Sequence, residues 1–200
     1  MAPVPASRAA LACLGVLAIG ALVGCAAFRP LPEGSDFALA PDEGLLVVHT
    51  ETDRPIVYVA VDGERVVRGL ARGVRYEIVV AKAGSYRWSG FMLAERDDES
   101  RVLRSRVQTR RVNDYWRFRV EPGVLNYPGQ LVVYTAGGLR KGIADARVVD
   151  RSALVYTTLR ERHRELVDRF PLVYTGGTRD VFLERVVGRG DAAREGAGAP

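Results

Sequence analysis

The feature that most constrains this fold is a series of short β-branched runs, separated by turn residues, that starts at Leu45. Seven such runs follow one another: LLVVHTE, IVYVAVDG, RYEIVVAKAG, YRWSGFML, RVLRSRVQT, YWRFRVEPG and LNYPGQLVVYTAGG. The breaks at Asp62-Gly63, Ala83-Gly84 and Pro122-Gly123 are residue pairs that favour tight turns. Short strands at this close spacing are typical of two packed sheets. The sequence therefore predicts a mainly β fold, an antiparallel β-sandwich of about seven strands.

The fifth and sixth runs predict a hairpin with one apolar and one basic face. In YWRFRVE, alternation directs Trp116, Phe118 and Val120 inward. A two-residue turn at Asn113-Asp114 lets this strand pair with the preceding run, so that Val107 lies opposite Val120. The outward positions of the two strands then carry five arginines: Arg104, Arg106, Arg110, Arg117 and Arg119.

These five arginines are the predicted binding surface. The chain has 29 Lys and Arg against 24 Asp and Glu, a net charge of +5, and nearly all of its cations are Arg. Arg forms bidentate contacts with carboxylates and phosphates, so the surface suits an anionic envelope component: lipopolysaccharide, phospholipid headgroups, peptidoglycan or an acidic protein. A solvated face neutralised by Glu121 and other acids is the alternative.

The hydrophobic period changes after the sheet. In DRSALVYTTLRERHRELVDRFP, apolar residues and one histidine recur at spacings of three and four: Tyr156, Leu159, His163, Leu166 and Phe170. This pattern predicts a C-terminal amphipathic α-helix, with Asp150 or Ser152 capping its start and Pro171 ending it. PLVYT adds a last short strand to the prediction.

The N-terminal residues predict a secretory signal. After Arg8, the run AALACLGVLAIGALVG is uncharged and apolar; it is shorter than the about 20 residues of a membrane span and lacks the polar face of a core helix. Its end, Leu22-Val23-Gly24-Cys25, resembles the lipobox of bacterial lipoproteins. The resemblance implies cleavage before Cys25, a diacylglyceryl thioether on its sulfur and an acyl group such as palmitate on its amine.

Two or more acyl chains are sufficient for stable anchoring, and a lipidated Cys25 carries them. Ala26 at the next position implies, by the same resemblance, release to the outer membrane with the domain facing the periplasm. Cleavage also removes Cys13, so the mature chain has no second thiol for a disulfide.

The chain thus divides into four predicted parts. Residues 1–24 are the signal peptide, 25–43 the lipidated Cys25 and a flexible linker, 44–187 the sandwich with its helix, and 188–200 a disordered tail. The linker prediction depends on three prolines and two glycines in AAFRPLPEGSDFALAPDEG. The tail prediction depends on its small, polar and aperiodic composition.

A wider resemblance covers Ile56 to Leu131. A strand ending in Asp62-Gly63, the glycine-turn-aromatic segment AKAGSYRWSGF and the segment FRVEPG are similar to PEGA-like and related uncharacterised β-sandwich domains of proteobacterial lipoproteins. The resemblance implies the β-sandwich fold. It brings no catalytic residues.

Catalytic and metal-binding motifs are not recognisable in the sequence. There is no nucleophile elbow, phosphate loop or dinucleotide fingerprint. His49 and His163 are too few for a zinc site, and each is interpreted as a hydrogen-bonded histidine at the edge of the core, with a catalytic base as the alternative. The acidic run ERDDES at 95–100 lacks the spacing of a calcium loop. We therefore expect no cofactor and no metal, and the periplasm disfavours nucleic acid as a partner.

The sequence thus favours a lipid-anchored, non-catalytic module of the envelope that binds or supports an unidentified component. A periplasmic hydrolase or transferase with an unrecognised site is one alternative. An accessory subunit of an envelope export or assembly complex is another. A deep pocket lined by convergent polar groups would favour the enzyme.

Overall fold

The computed structural model describes residues 27–34, 37–94, 102–105, 116–136 and 143–178, without the side chains of 102–105 and of Ala144. Within these ranges the chain forms twelve strands and two helices. They are β1 Phe28–Pro30, β2 Glu43–Thr52, β3 Ile56–Val61, β4 Glu64–Leu70, β5 Gly73–Lys82, β6 Gly84–Ala94, β7 Val102–Ser105, β8 Arg117–Val120, β9 Leu125–Tyr127, β10 Gln130–Thr135, β11 Ile143–Val149, α1 Ser152–Arg162, α2 Arg164–Arg169 and β12 Leu172–Tyr174. The predicted mainly β sandwich with helix at its C-terminal side is confirmed.

The larger sheet is built around β2. One edge of β2 pairs antiparallel with β5, and β5 carries β1 opposite Val79–Ala81. The other edge of β2 pairs with β9 and then with β10, both of them parallel to it. Beyond these, β10 pairs antiparallel with β11, and β9 pairs parallel with β12. The sheet is therefore mixed, whereas the sequence predicts antiparallel pairing throughout, because parallel partners lie far apart in the chain and leave no turn signal between them.

The smaller sheet is antiparallel and has the order β4-β3-β6, with β7 and β8 both on the far edge of β6. β7 lies opposite Phe91–Ala94 and β8 opposite Gly84–Arg87. Since β6 has eleven residues, its one edge accommodates both short strands end to end.

The predicted hairpin between β7 and β8 is wrong. Val120 lies opposite Gly84 rather than Val107. The other edge of β8 is also occupied, because Arg119 N–H donates to Thr175 O at 3.1 Å and Gly177 N–H donates to Arg117 O at 3.0 Å. The expected turn at Asn113-Asp114 lies outside the described residues. Alternation determines which face of β8 is buried, but it is equally compatible with any antiparallel neighbour.

The packed layers are the smaller sheet, the larger sheet and the two helices. β2 is buried on both faces, as expected for a central strand covered from two sides. Leu46 and Val48 join the core between the sheets, together with Trp88 of β6 and Phe118 of β8. Leu45 and Val47 join a second core beneath the helices: Ile78, Val80, Leu125, Tyr127, Val155, Leu159, Leu166 and Phe170.

The predicted helix is present but interrupted. α1 ends at Arg162, His163 adopts a non-helical φ of −138°, and α2 follows it. Leu159, Leu166 and Phe170 are buried as the spacing predicts, whereas Tyr156 is 40% exposed and Val155 takes the buried position. At the helix start, the Asp150 carboxylate accepts the Ser152 N–H at 2.9 Å.

Most of the segment predicted as a flexible linker packs against the domain. Phe28 of β1 is buried in the core between the sheets, and Arg29 forms a salt bridge of 2.7 Å with Glu43. Phe37 stacks on Phe170 with ring centroids 6.0 Å apart. The described part of this segment is therefore packed rather than a free spacer, because Phe28, Leu31, Phe37 and Leu39 cover apolar surface of the two cores.

Among the described residues, no helix has the length and apolar character needed to cross a membrane. The predicted signal peptide, Cys25 and the tail from residue 188 lie outside the described residues.

A candidate basic docking surface

Two of the five predicted arginines are placed as alternation suggests. Arg117 and Arg119 are exposed on β8, while Phe118 and Val120 between and beside them are 3% exposed. Arg104 lies in β7 with its backbone opposite Met92, and its side chain is outside the description. Arg106 and Arg110 also lie outside the described residues. Of the five predicted arginines, the structure therefore describes the exposed side chains of Arg117 and Arg119 on β8.

A third arginine joins this pair from β6. Arg87 is exposed and lies directly opposite Arg117 in the antiparallel register, so the two side chains leave the same face of the sheet. Its neighbours Tyr86 and Trp88 pack inward against Phe118. The alternation in the run SYRWSG predicts the outward position of Arg87. It does not predict that β8 is the neighbouring strand.

Two further arginines of β4 extend the same face. Arg65 lies over the ring of Tyr58, with its guanidinium carbon 4.6 Å from the ring centroid. Arg68 lies directly opposite Tyr58 across β3 and β4. Both are exposed. We define the basic surface as these five residues: Arg65, Arg68, Arg87, Arg117 and Arg119.

The strand register sets the size of the basic surface. Arg119 lies opposite Ser85, and Arg68 is aligned through Tyr58 with Met92, seven residues further along β6. At about 3.3 Å per residue this is about 23 Å along the strands, and the three strand spacings from β4 to β8 add about 14 Å across them. An area of this size admits several headgroups or a peptide segment rather than a single ion.

Acidic residues lie at the margin of the basic surface. Asp62 and Glu64 flank the turn between β3 and β4, and Glu121 follows β8. Within the part of the chain that the structure describes, Arg68, Arg87 and Arg119 form no ion pair. Arg87 and Arg117 lie directly opposite each other in the sheet, and like charges in this arrangement are destabilising.

The basic surface ends close to the predicted anchor. Ala27 O accepts the Lys82 N–H at 3.0 Å, β6 begins two residues later at Gly84, and Ser85 lies opposite Arg119. Chain geometry then places the Arg119 backbone within about 20 Å of Ala27. Cys25 is two residues before Ala27. Ala27 and the Arg119 side of the basic surface thus lie at the same end of the domain, whereas Arg68 lies toward the other end.

The other polar cluster of the structure is sealed in the core beneath the helices. His49 is 3% exposed, and its Nδ1 lies 3.0 Å from the Tyr127 hydroxyl. Gln130 Nε2 faces His49 Nε2 at 3.3 Å, so an amide N–H donates there and the ring proton resides on Nδ1, which donates to Tyr127.

Burial governs the ionisation of this cluster. It lowers the pKa of His49 to about 4, against a smaller opposing effect of Glu51. Burial likewise raises the pKa of Tyr127 above its usual range. Both groups are therefore neutral at physiological pH, and the cluster is a hydrogen-bonded core element rather than a site open to substrate.

His163 occupies the break between the helices and meets the ring of Tyr76 edge-on, with centroids 5.9 Å apart. Among the residues that the structure describes, no group of three or more His, Cys, Asp or Glu side chains is placed to hold a metal ion.

Comparison of this chain with protein-family models, with curated proteins and with solved structures finds no match.

Proposed function

We propose that this chain is a lipid-anchored, non-catalytic module of the bacterial envelope, and that its basic surface docks on the anionic phospholipid headgroups of the leaflet that holds the anchor. The anchor is the lipid on Cys25, and Ala26 supports the outer membrane, with the domain on the periplasmic side. The observation that carries the proposal is the position of Arg87, Arg117 and Arg119 on one exposed face at the anchor end of the domain.

Electrostatics supports this arrangement. A cation beside an anionic membrane surface gains about 1 kcal/mol, and the gain disappears beyond a Debye length of about 8 Å. β1 packs on the domain from Phe28, so only Ala26 and Ala27 separate Cys25 from folded structure. So short a tether holds the domain against the headgroups, within the range over which arginines interact with them.

The test is vesicle co-sedimentation of the full chain carrying Cys25→Ser, which removes the site of acylation. The quantity compared is binding to phosphatidylglycerol–phosphatidylcholine vesicles divided by binding to pure phosphatidylcholine vesicles. This ratio removes the contribution of the apolar N-terminal run, because every variant shares that run. Replacement of Arg87, Arg117 and Arg119 by Gln should lower this ratio by about two orders of magnitude, as expected from about 1 kcal/mol per arginine.

The matched control removes the same charge from the helices by Arg160→Gln, Arg162→Gln and Arg164→Gln. These residues are exposed on the opposite side of the larger sheet, so the ratio should stay within about twofold of the parent. Equal ratios for the two triple variants, or a parent chain that does not distinguish anionic from neutral vesicles at low salt, would refute docking through the basic surface.

A further inference from the structure

The two helices form a segment whose ends are both fixed in the larger sheet. β11 precedes α1 and pairs with β10, whereas β12 follows α2 and pairs with β9. Between Val149, the last residue of β11, and Leu172, the first of β12, the elements of the chain are α1 and α2. The helices can therefore leave the sheet without separating any of the strand pairs given above.

The apolar side chains of the helices serve one of the two cores. Val155, Leu159, Leu166 and Phe170 pack in the second core, beneath the helices. The core between the sheets is built from other side chains, on the opposite face of β2. Removal of the helix layer therefore uncovers the second core and leaves the core between the sheets in place.

His49 lies beneath the start of α1. On β2 it has the parity of Leu45 and Val47, so it faces the second core. Its Nδ1 is 3.0 Å from the Tyr127 hydroxyl. The backbone N–H of Arg151, the residue before α1, faces the same hydroxyl. His49 and Tyr127 thus connect the central strand of the sheet to the N-terminal end of the helix.

The surroundings of His49 oppose a positive charge on its ring. Burial is the largest effect and lowers the pKa of His49 to about 4. The Arg151 guanidinium acts in the same direction, and the N-terminal end of α1 adds the positive end of the helix dipole. Glu51 acts in the opposite direction and is the smaller effect. A proton on His49 is therefore unfavourable while the helices cover it.

The charged and titratable groups around His49 and Tyr127 come from every element packed there: Glu51 on β2, Tyr76 on β5, Tyr174 on β12, Asp150 and Arg151 before α1, and His163 after it. Asp150 acts on Tyr127, and its carboxylate accepts the Ser152 N–H at 2.9 Å. From β10 the facing group is the Gln130 amide, whose Nε2 lies 3.3 Å from His49 Nε2.

A second ring proton does not fit the closed arrangement. It would lie on Nε2, facing the N–H donor of Gln130. Rotation of this buried amide turns its oxygen toward the proton but supplies no negative charge. Once the helices leave the sheet, water solvates the charged ring and removes the cost of its burial. Proton uptake and opening of the helix layer therefore favour each other.

We propose that His49 is a pH-sensitive switch of the helix layer: when its ring takes up a second proton, α1 and α2 leave the larger sheet while the two sheets stay packed. The switch acts on the outer face of the larger sheet, whereas the basic surface lies on the smaller sheet. It therefore does not rest on the proposed membrane docking.

The experiment is amide hydrogen exchange of the purified full chain at pH 7 and pH 5, followed by mass spectrometry. The quantity compared is the protection factor, the chemical exchange rate divided by the observed rate, which corrects for slower chemistry at pH 5. Protection of residues 152–169 should fall about twentyfold, the factor for a ring pKa of about 4 when closed and about 6.5 when open.

Urea separates local opening from global unfolding. At pH 5 the helix amides should be at least tenfold less protected than those of β3 and β6. Their exchange should also be insensitive to urea below the unfolding transition, because local opening exposes little surface.

Variants assign the switch to His49. His49→Gln keeps a neutral hydrogen-bonding side chain, so helix protection should stay within about threefold between the two pH values. His163→Gln removes the other histidine of the chain and is the matched control, which should keep the twentyfold fall. Gln130→Glu places a carboxylate against Nε2 and stabilises the protonated ring in the closed state, so protection should no longer fall. It retains His49 and thus tests the switch even if His49→Gln does not fold; circular dichroism verifies folding.

Several results overturn the inference. One is helix protection in the parent that is unchanged between pH 7 and pH 5. Another is equal protection of the helices and β6 at pH 5, which assigns the fall to global unfolding. A twentyfold fall that persists in folded His49→Gln or folded Gln130→Glu, or that disappears in His163→Gln, assigns it to another group.

Discussion

At the scale of single residues, burial of His49 couples folding to pH. The folded pKa is lowered to about 4, whereas an unfolded histidine titrates near 6.5. The unfolded chain therefore binds a proton that the folded chain does not bind. The contribution of His49 to the free energy of unfolding is fully present above pH 6.5 and is lost as the pH falls from 6.5 toward 4.

We expect the free energy of unfolding to fall by about 2 kcal/mol between pH 7 and pH 5 because of His49 alone. Glu43 interferes little in this interval, since its hydrogen bond to Arg29 holds the pKa of that carboxyl below its usual range. Urea unfolding at the two pH values measures the difference. His49→Gln should remove most of the pH dependence; a variant that keeps the full 2 kcal/mol would assign it to other groups.

At the scale of elements, short strands at the edges depend on single anchoring side chains. β1 has only three residues, and Phe28 is the one that enters the core, with its ring 5.1 Å from that of Tyr86. β8 likewise depends on Phe118 and Val120. Strands of this length have too few ladder hydrogen bonds to be stable alone, so their side chains must secure them.

Phe28→Ala should lower the free energy of unfolding by about 3 kcal/mol, because it removes a buried aromatic side chain and leaves a cavity. Phe37→Ala, on the same N-terminal segment but only half-buried, is the control and should cost less. Urea unfolding of both variants provides the comparison. A cost below about 0.5 kcal/mol for Phe28→Ala, the level of exposed substitutions, would show that β1 does not contribute to the fold.

At the scale of the whole molecule, the helices and the basic surface occupy opposite faces of the domain. Ala27, Lys82 and Arg119 lie toward the anchor end, and Arg72 and Arg75 lie toward the other. The helices cover the outer face of the larger sheet, which leaves the outer face of the smaller sheet to carry the basic surface. A short tether and a basic face are mutually consistent in a domain that rests on a membrane.

The anchor has its own test. Cys25→Ser should abolish incorporation of radiolabelled fatty acid and leave the chain unprocessed or released from the membrane fraction, since no other thiol remains after cleavage. Cys13→Ser is the matched control and should be labelled like the parent. A parent chain without lipid, with Cys25→Ser in the same fraction, would refute the predicted localisation.

The sequence by itself determined which residues of β8 face inward, and most of those that do so in the helices. Period-two alternation placed Phe118 and Val120 in the core and Arg117 and Arg119 outside it, and the three-to-four spacing identified Leu159 and Leu166. Such periods are local, because the pleat of a strand and the turn of a helix depend only on the chain itself.

Only the tertiary structure decided which strands are neighbours. It placed Arg87 opposite Arg117, made β9 and β10 parallel to β2, and brought Arg75 and Leu70 to one cleft. These pairings join residues far apart in the chain, and alternation is the same for every possible partner. They are selected by the total burial that one arrangement of all strands achieves, which no single segment specifies.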